Sequence, residues 1–214
     1  ITGAARAEES SLGSGDRLVF NSVYVINDKG VIISAADKVH LVPFGEYLPL
    51  QDLLESIGIM QLTELEGGFE SGASRKLLGT GIGPEFLPLI CYEIIFSGSL
   101  WSGEDRPGFI VNLTNDAWFG NTPGPYQHLR QSVLRAVEEG LPLIRVANNG
   151  ISGVYDSYGR SLKRLPLNEA GVIDSNLPVS SARTLFSRYG QKVFMGVVLG
   201  FLIMALFPVY NWGR

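Results

Sequence analysis

The chain has 214 residues, enough for one domain with a buried core and room for an appendage. A net charge of −4 without a long basic run excludes the electrostatic footprint of a nucleic-acid binder, and two His with a single Cys, none at ligand spacing, argue against a metal site. Apolar residues make up 45% and charged ones 18%, and the mean hydropathy of +0.17 predicts apolar surface that meets lipid or a partner.

Residues 1–16 are rich in Ala, Ser, Gly and Glu and lack a basic segment followed by an apolar one, so they read as a surface loop and not as a secretory signal. From Leu18 to Ile26 the sequence alternates and is β-branched. Asn27-Asp28-Lys29-Gly30 then supplies turn chemistry and Val31-Ile32-Ile33 resumes, which predicts a β-hairpin with Lys38 just beyond it. Pro43, Gly45 and Pro49 hold residues 42–47 extended or looped, with Glu46 inside. Leu50, Leu53, Leu54 and Ile57 fall at helical spacing, and Ile59, Met60 and Leu62 come next as an apolar loop around Gly58.

Residues 67–83 read as Gly-rich turn and short strand. Leu89-Ile90-Cys91-Tyr92-Glu93 then ends a strand begun at Phe86 and delivers the one cysteine to a turn. A single thiol makes no intramolecular disulfide, so Cys91 serves packing or reactivity; in isolation, a Cys beside Leu and Ile is a small buried hydrophobe. Residues 109–113 form a continuous apolar strand ending at Thr114-Asn115-Asp116. Thr122-Pro123-Gly124-Pro125 starts a helix that runs to Gly140 with Leu129, Val133, Ala136 and Val137 on one face, and Glu138 and Glu139 at its end oppose the helix dipole. Residues 143–147 form another apolar strand ending in Asn148-Asn149-Gly150, and residues 151–155 pair through the turn Asp156-Ser157-Tyr158-Gly159 with the segment after it. Strand, helix and strand with polar residues at strand ends predict an α/β (α+β) sandwich whose site gathers at one edge of a sheet.

The end differs in kind. From Val193 to Tyr210 run 18 uncharged residues, flanked by Arg188 and Lys192 before and by Trp212 and Arg214 after, a transmembrane helix candidate. A buried core helix would show a polar face instead. Arg183, Arg188 and Lys192 before the span, against Arg214 after it, place the preceding domain in the cytoplasm by local charge alone.

A lone Lys or Glu is usually a solvated charge. Here, however, Lys38-Val39-His40-Leu41-Val42-Pro43-Phe44-Gly45-Glu46 precedes Cys91-Tyr92-Glu93 and then Asn115-Asp116-Ala117-Trp118-Phe119-Gly120. With Gly124-Pro125-Tyr126-Gln127-His128, Asn148-Asn149-Gly150-Ile151 and the closing apolar helix, these motifs resemble the apolipoprotein N-acyltransferases, the membrane branch of the nitrilase (carbon–nitrogen hydrolase) superfamily, from about Leu18 to the C-terminus. The resemblance implies a partial nitrilase-like α-β-β-α sandwich over residues 1–187, followed by one C-terminal transmembrane helix and short tail over 188–214. Its catalytic Lys and Cys map onto Lys38 and Cys91; Glu46 joins them, Tyr92, Glu93 and Trp118 bind substrate or support the site, and no cofactor or metal is needed. It further implies transfer of a fatty acyl group from a membrane phospholipid, through a Cys thioester, to the α-amine of the diacylglyceryl N-terminal cysteine of a lipoprotein, the last step of bacterial lipoprotein maturation. Such an enzyme is monomeric at full length, contacts the lipid bilayer and no nucleic acid, and keeps its catalytic domain on the periplasmic face of the inner membrane. That family orientation outweighs the local charge count, because topology is set over the whole protein.

The residue types suit that chemistry. A free thiol, with a pKa of about 8.5, is mostly protonated at neutral pH, so acylation needs a base and a neighbouring cation. Lys38 supplies the cation and, with the backbone N–H after Cys91, an oxyanion hole; Glu46 holds the ammonium in place. The apolar loop over residues 53–62 is expected to line a shielded, lipid-facing mouth. The family's first catalytic carboxylate, in a Pro-Glu element far upstream of the Lys, has no counterpart in the 37 residues before Lys38, where Glu8 and Glu9 are the only glutamates. The family's N-terminal membrane helices are missing too, so the chain is expected to be the C-terminal portion of a longer enzyme and inactive by itself. Two alternatives stay open: an amidase or nitrilase-type carbon–nitrogen hydrolase, and a catalytically inactive membrane-anchored binding module.

Overall fold

A computed structural model describes residues 1–9, 17–58, 68–98, 100–101, 103 and 105–206. The elements are strands β1 (Thr2–Glu9), β2 (Arg17–Ile26) and β3 (Ile32–Asp37), helix α1 (Gln51–Ser56), strand β4 (Phe86–Ile90), a 3₁₀ turn (Cys91–Ile95) and strand β5 (Phe109–Asn115). The chain continues through a second 3₁₀ turn (Asp116–Phe119), helix α2 (Gly124–Glu139), strands β6 (Leu143–Asn148), β7 (Ser152–Tyr155) and β8 (Ser161–Leu165), and helices α3 (Leu185–Tyr189) and α4 (Lys192–Leu206).

The first strand corrects the reading of residues 1–16 as a loop. Thr2–Glu9 pairs antiparallel with β2 along its whole length, from Thr2 opposite Tyr24 to Glu9 opposite Arg17. Its Ala- and Gly-rich sequence has little intrinsic strand preference, and the partner's open edge supplies what propensity does not. The Arg6 guanidinium anchors it further, donating to both carboxylate oxygens of Asp37 in β3 at 3.0 and 2.8 Å. Residues 10–16 lie outside the described residues.

Two sheets pack face to face. One has the order β1-β2-β3, and the other β4-β5-β6-β7-β8, parallel through β4, β5 and β6 and antiparallel thereafter. Alternation along the strands builds two apolar layers. Phe86, Ile90, Phe109 and Val111 meet Val23, Val25 and Ala36 between the sheets. Leu87, Leu89, Ile110 and Leu143 face the other way, onto Leu129 and Ala136 of α2 and Ile94 of the first 3₁₀ turn. All five residues of β4 are buried, which explains its continuous apolar run: a strand covered on both faces has no polar side to show. Two stacked sheets with α2 over one of them are the β-β-α part of the expected sandwich.

Helix α2 starts where Thr122 Oγ1 accepts from the N–H of Gly124 and ends at left-handed Gly140. Its buried face is Pro125, His128, Leu129, Ser132, Arg135 and Ala136. Val137, predicted inward, is exposed. The helix is rotated toward its polar residues because His128 and Ser132 find buried partners in Asp116 and Arg145. Glu138 is accounted for by Arg135 and Ser97, which donate to its carboxylate at 2.9 and 3.2 Å. Arg106, from outside the helix, donates to the carbonyls of Glu139 and Gly140 and so supplies the cation that the helix end lacks.

Helix α4 spans 15 residues and exposes apolar side chains all round, among them Phe194, Leu199, Phe201 and Met204. Among the described residues, no helix is long and apolar enough to cross a membrane. The rest of the predicted span, 207–210, lies outside them, as do Ile59, Met60 and Leu62 of the predicted apolar loop.

Candidate active site

Lys38 comes directly after β3 and is buried, at 1% exposure. A buried ammonium needs an anion and further acceptors. Glu46 supplies both of its oxygens, at 2.7 and 2.6 Å from Nζ. The Pro- and Gly-framed loop shapes this pairing: the Glu46 carboxylate also accepts from the backbone N–H of Val42 at 2.9 Å and from Asn21 Nδ2 at 3.3 Å. Three groups, from Lys38, Val42 and Asn21, therefore converge on one carboxylate. The pair that the sequence predicted is formed.

Cys91 stands at the carboxyl end of β4, half-buried, with a backbone φ of 51°. The left-handed region costs a residue with a side chain about 1–2 kcal/mol. Strict alternation along β4 would send residue 91 toward α2 with Leu87 and Leu89. The left-handed turn breaks the alternation, and Cys91 packs instead against the layer between the sheets, the side from which Lys38 comes. The same turn starts the 3₁₀ segment that carries Tyr92 and Glu93.

Glu93 joins the two halves. Its carboxylate, 2% exposed, accepts from the backbone N–H groups of Val39 and His40 at 3.0 and 2.9 Å and from that of Ile90 at 2.8 Å. One side chain thus ties the residues just after Lys38 to the residue just before Cys91. Arg75 lies 3.9 Å from the same carboxylate. Tyr92 is partly exposed, with its ring 5.5 Å from that of His128. Trp118 is 64% exposed on the second 3₁₀ turn.

Sequence reasoning missed a buried polar cluster on the α2 side of the sheet: Asn112, Asp116, His128, Ser132 and Arg145. Arg145 donates to Asp116 Oδ2 at 2.7 Å and to Ser132 Oγ at 2.9 Å, and Asp116 Oδ1 meets His128 Nδ1 at 2.9 Å. Burial alone would raise the Asp116 carboxyl, but the His128 hydrogen bond and the Arg145 charge outweigh it and hold it below the usual carboxylate range. Burial pulls the Arg145 guanidinium down, opposed by Asp116. The available signal was a lone polar residue inside each of two apolar strands, Asn112 and Arg145, since a polar group placed there must find a partner.

A left-handed cysteine at the end of a parallel strand is thus tied through Glu93 to the segment that follows a buried Lys–Glu pair, within a two-sheet α/β sandwich. A family model described as carbon–nitrogen hydrolase matches residues 1–185, and the chain belongs to that family. Within it, the chain is 49% identical over 206 residues to the apolipoprotein N-acyltransferase of Rhodopseudomonas palustris, covering 96% of this chain and 38% of that protein. It is 52% identical over 178 residues to the apolipoprotein N-acyltransferase of Brucella melitensis, covering 83% and 33%. The chain thus spans well under half the length of these relatives. Two solved structures share the fold at 16% identity: a carbon–nitrogen hydrolase from Helicobacter pylori, with a TM-score of 0.52 over 77% of this chain and 57% of that one, and an amidase from Nesterenkonia sp., with a TM-score of 0.50 over 92% and 66%.

Proposed function

We propose that this chain carries the nucleophile and the oxyanion site of a phospholipid:apolipoprotein N-acyltransferase. The observation that supports this best is the Glu93 stitch, which brings the buried Lys38–Glu46 pair and the left-handed Cys91 turn together in a chain about half identical to proteins of that name. In the first half-reaction the Cys91 sulfur attacks the ester carbonyl carbon of a phospholipid. The negative charge on the carbonyl oxygen is met by the Lys38 ammonium and the Tyr92 N–H. The carbon–oxygen bond breaks, the lysophospholipid leaves as an alcohol with a proton, and a thioester remains. In the second, the free α-amine of a diacylglyceryl cysteine attacks that thioester, the carbon–sulfur bond breaks, and an amide and the thiol are released. Glu46 and Glu93 are saturated with donors, so they act as anchors and not as the proton acceptor for Cys91.

In this reading residues 1–187 form the C-terminal part of the catalytic domain and 188–214 a membrane-spanning helix and tail. Helix α4, apolar on all sides, is the described portion of that span. The domain lies on the periplasmic face of a bacterial inner membrane and works as a monomer. Leu53 and Ile57, both exposed, contribute to a lipid-facing mouth, and the exposed Tyr92 and Trp118 bind substrate or support the site.

A phospholipid with a clickable acyl chain tests the reading. In the full-length protein it should leave a hydroxylamine-sensitive label on Cys91 that disappears in Lys38→Ala. An unchanged label in Lys38→Ala would overturn the role of the pair, and turnover of small amides in place of labelling would favour an amidase.

A further inference from the structure

We propose that Asn112 is a positioning residue that aims the backbone N–H after the nucleophile, and that the buried Arg145–Asp116 pair holds Asn112 in the one orientation able to do so. This rests on Cys91 being the acyl-accepting nucleophile. Strand register places Asn112 of β5 between Leu89 of β4 and Arg145 of β6, one row across three parallel strands. Asn112 Nδ2 donates to the carbonyl of Leu89 at 2.9 Å and to that of Cys91 at 3.2 Å, and Oδ1 accepts from Arg145 Nη1. A guanidinium only donates and a main-chain carbonyl only accepts, so the carboxamide cannot be turned round. Arg145 is itself fixed by Ser132 Oγ and Asp116 Oδ2, and Asp116 by Thr114 Oγ1 at 3.1 Å and His128.

The link to chemistry is the planarity of the peptide bond. The Cys91 carbonyl and the Tyr92 N–H belong to one trans peptide, so they point in opposite directions. By drawing that carbonyl toward the α2 face of the sheet, Asn112 turns the Tyr92 N–H toward the opposite face, where Cys91 packs and Lys38 enters. The 3₁₀ turn that begins at Cys91 restrains this peptide through its own backbone, and Asn112 is the side chain that ties it to the sheet; without Asn112 the left-handed turn at Cys91 loses a grip that offsets its strain. The N–H would then no longer meet the oxyanion.

Two rates on the full-length protein in native membranes or detergent extracts separate positioning from general support. Acylation of Cys91 by a fluorescent phospholipid develops an oxyanion, whereas alkylation by iodoacetamide is a displacement at carbon that develops none. Asn112→Ala should slow acylation about 100-fold and alkylation less than about threefold, the size expected for one misaimed oxyanion donor. Ser132→Ala, which removes only one acceptor of Arg145, should leave both rates within about threefold because the Asn112 contacts remain. If Asn112→Ala acylates at the wild-type rate, or slows both reactions alike, the inference is overturned while the nucleophile assignment stands. A wild type that alkylates but never acylates overturns the proposed function, and the inference with it. Should Asn112→Ala not fold, Arg145→Lys should keep acylation within about tenfold of wild type, since it retains a cationic donor for Oδ1, and Arg145→Met should lose it; equal behaviour of the two overturns the inference.

Discussion

Lys38 and Glu46 form a buried ion pair whose loss should be felt in stability and, on the proposed function, in chemistry. The ammonium is fully buried and its partner nearly so, and breaking such a pair from one side typically costs about 3–5 kcal/mol because a charge is left unpaired. Glu46→Gln should therefore lower unfolding stability by roughly that amount and abolish labelling of Cys91, whereas Lys38→Met combined with Glu46→Gln should recover most of the stability and none of the labelling. Equal melting temperatures for the single and double variants would refute this. Asp116 makes a prediction in pH. A carboxyl whose folded-state value lies below its unfolded one stabilises the fold above the unfolded value, near about 3.9, and that contribution goes as pH falls through the folded value. Melting temperatures taken from about pH 5 down to about pH 2.5 should thus fall more steeply for wild type than for Asp116→Asn. Parallel slopes below about pH 4 would contradict the assignment.

Among the elements, the strands were the most legible. The hairpin of β2 and β3, the buried runs of β4 and β5, and the β6, β7 and β8 series all arise from alternation, apolar runs and turn residues, which act over a few positions. Helix α2 was legible as a helix but not in its facing. Its apolar periodicity pointed Val137 inward, while the fold buries His128, Ser132 and Arg135, whose partners lie on β6 and the second 3₁₀ turn or within the helix itself. The turn after β6 belongs to the same assembly. A Cβ on Gly150 would stand 2.7 Å from Asp116 Cβ and overlap its Oδ2. Gly150→Ala should destabilise the protein by about 1–3 kcal/mol through displacement of Asp116. A chemical denaturation midpoint unchanged from wild type would show that the turn yields freely.

For the whole molecule, the apolar surplus of the composition resolves into two places: the layers on either side of the β4–β8 sheet, and helix α4, whose exposed Val, Phe, Leu and Met side chains have no layer above them among the described residues. Fifteen residues make a helix of about 22 Å, short of the about 30 Å of a bilayer core, so the reading of a span leans on the uncharged sequence that continues to Tyr210. Leu199→Arg, near the middle of that run, should oppose membrane insertion by about 2.5–3.5 kcal/mol. Alkaline carbonate should then release the variant from membranes while wild type stays behind, and release of both alike would count against the span.

The sequence by itself determined where the strands from β2 onward and α2 lie, because these depend on short-range periodicity and turn chemistry, and its resemblance to a family singled out Lys38, Glu46, Cys91 and Glu93 as candidates. Only the tertiary structure decided three further matters. Residues Thr2–Glu9 became a strand because β2 offered an edge, not through their own propensity. The Cys91 side chain left the face that alternation assigns to it because the chain turns left-handed at the strand end. Asn112 and Arg145 found their roles through partners 23 and 33 positions away. The physical reason is the same in each case: a local pattern states what a residue needs, an edge to pair with or a partner for a buried polar group, and only long-range packing determines which residue meets that need.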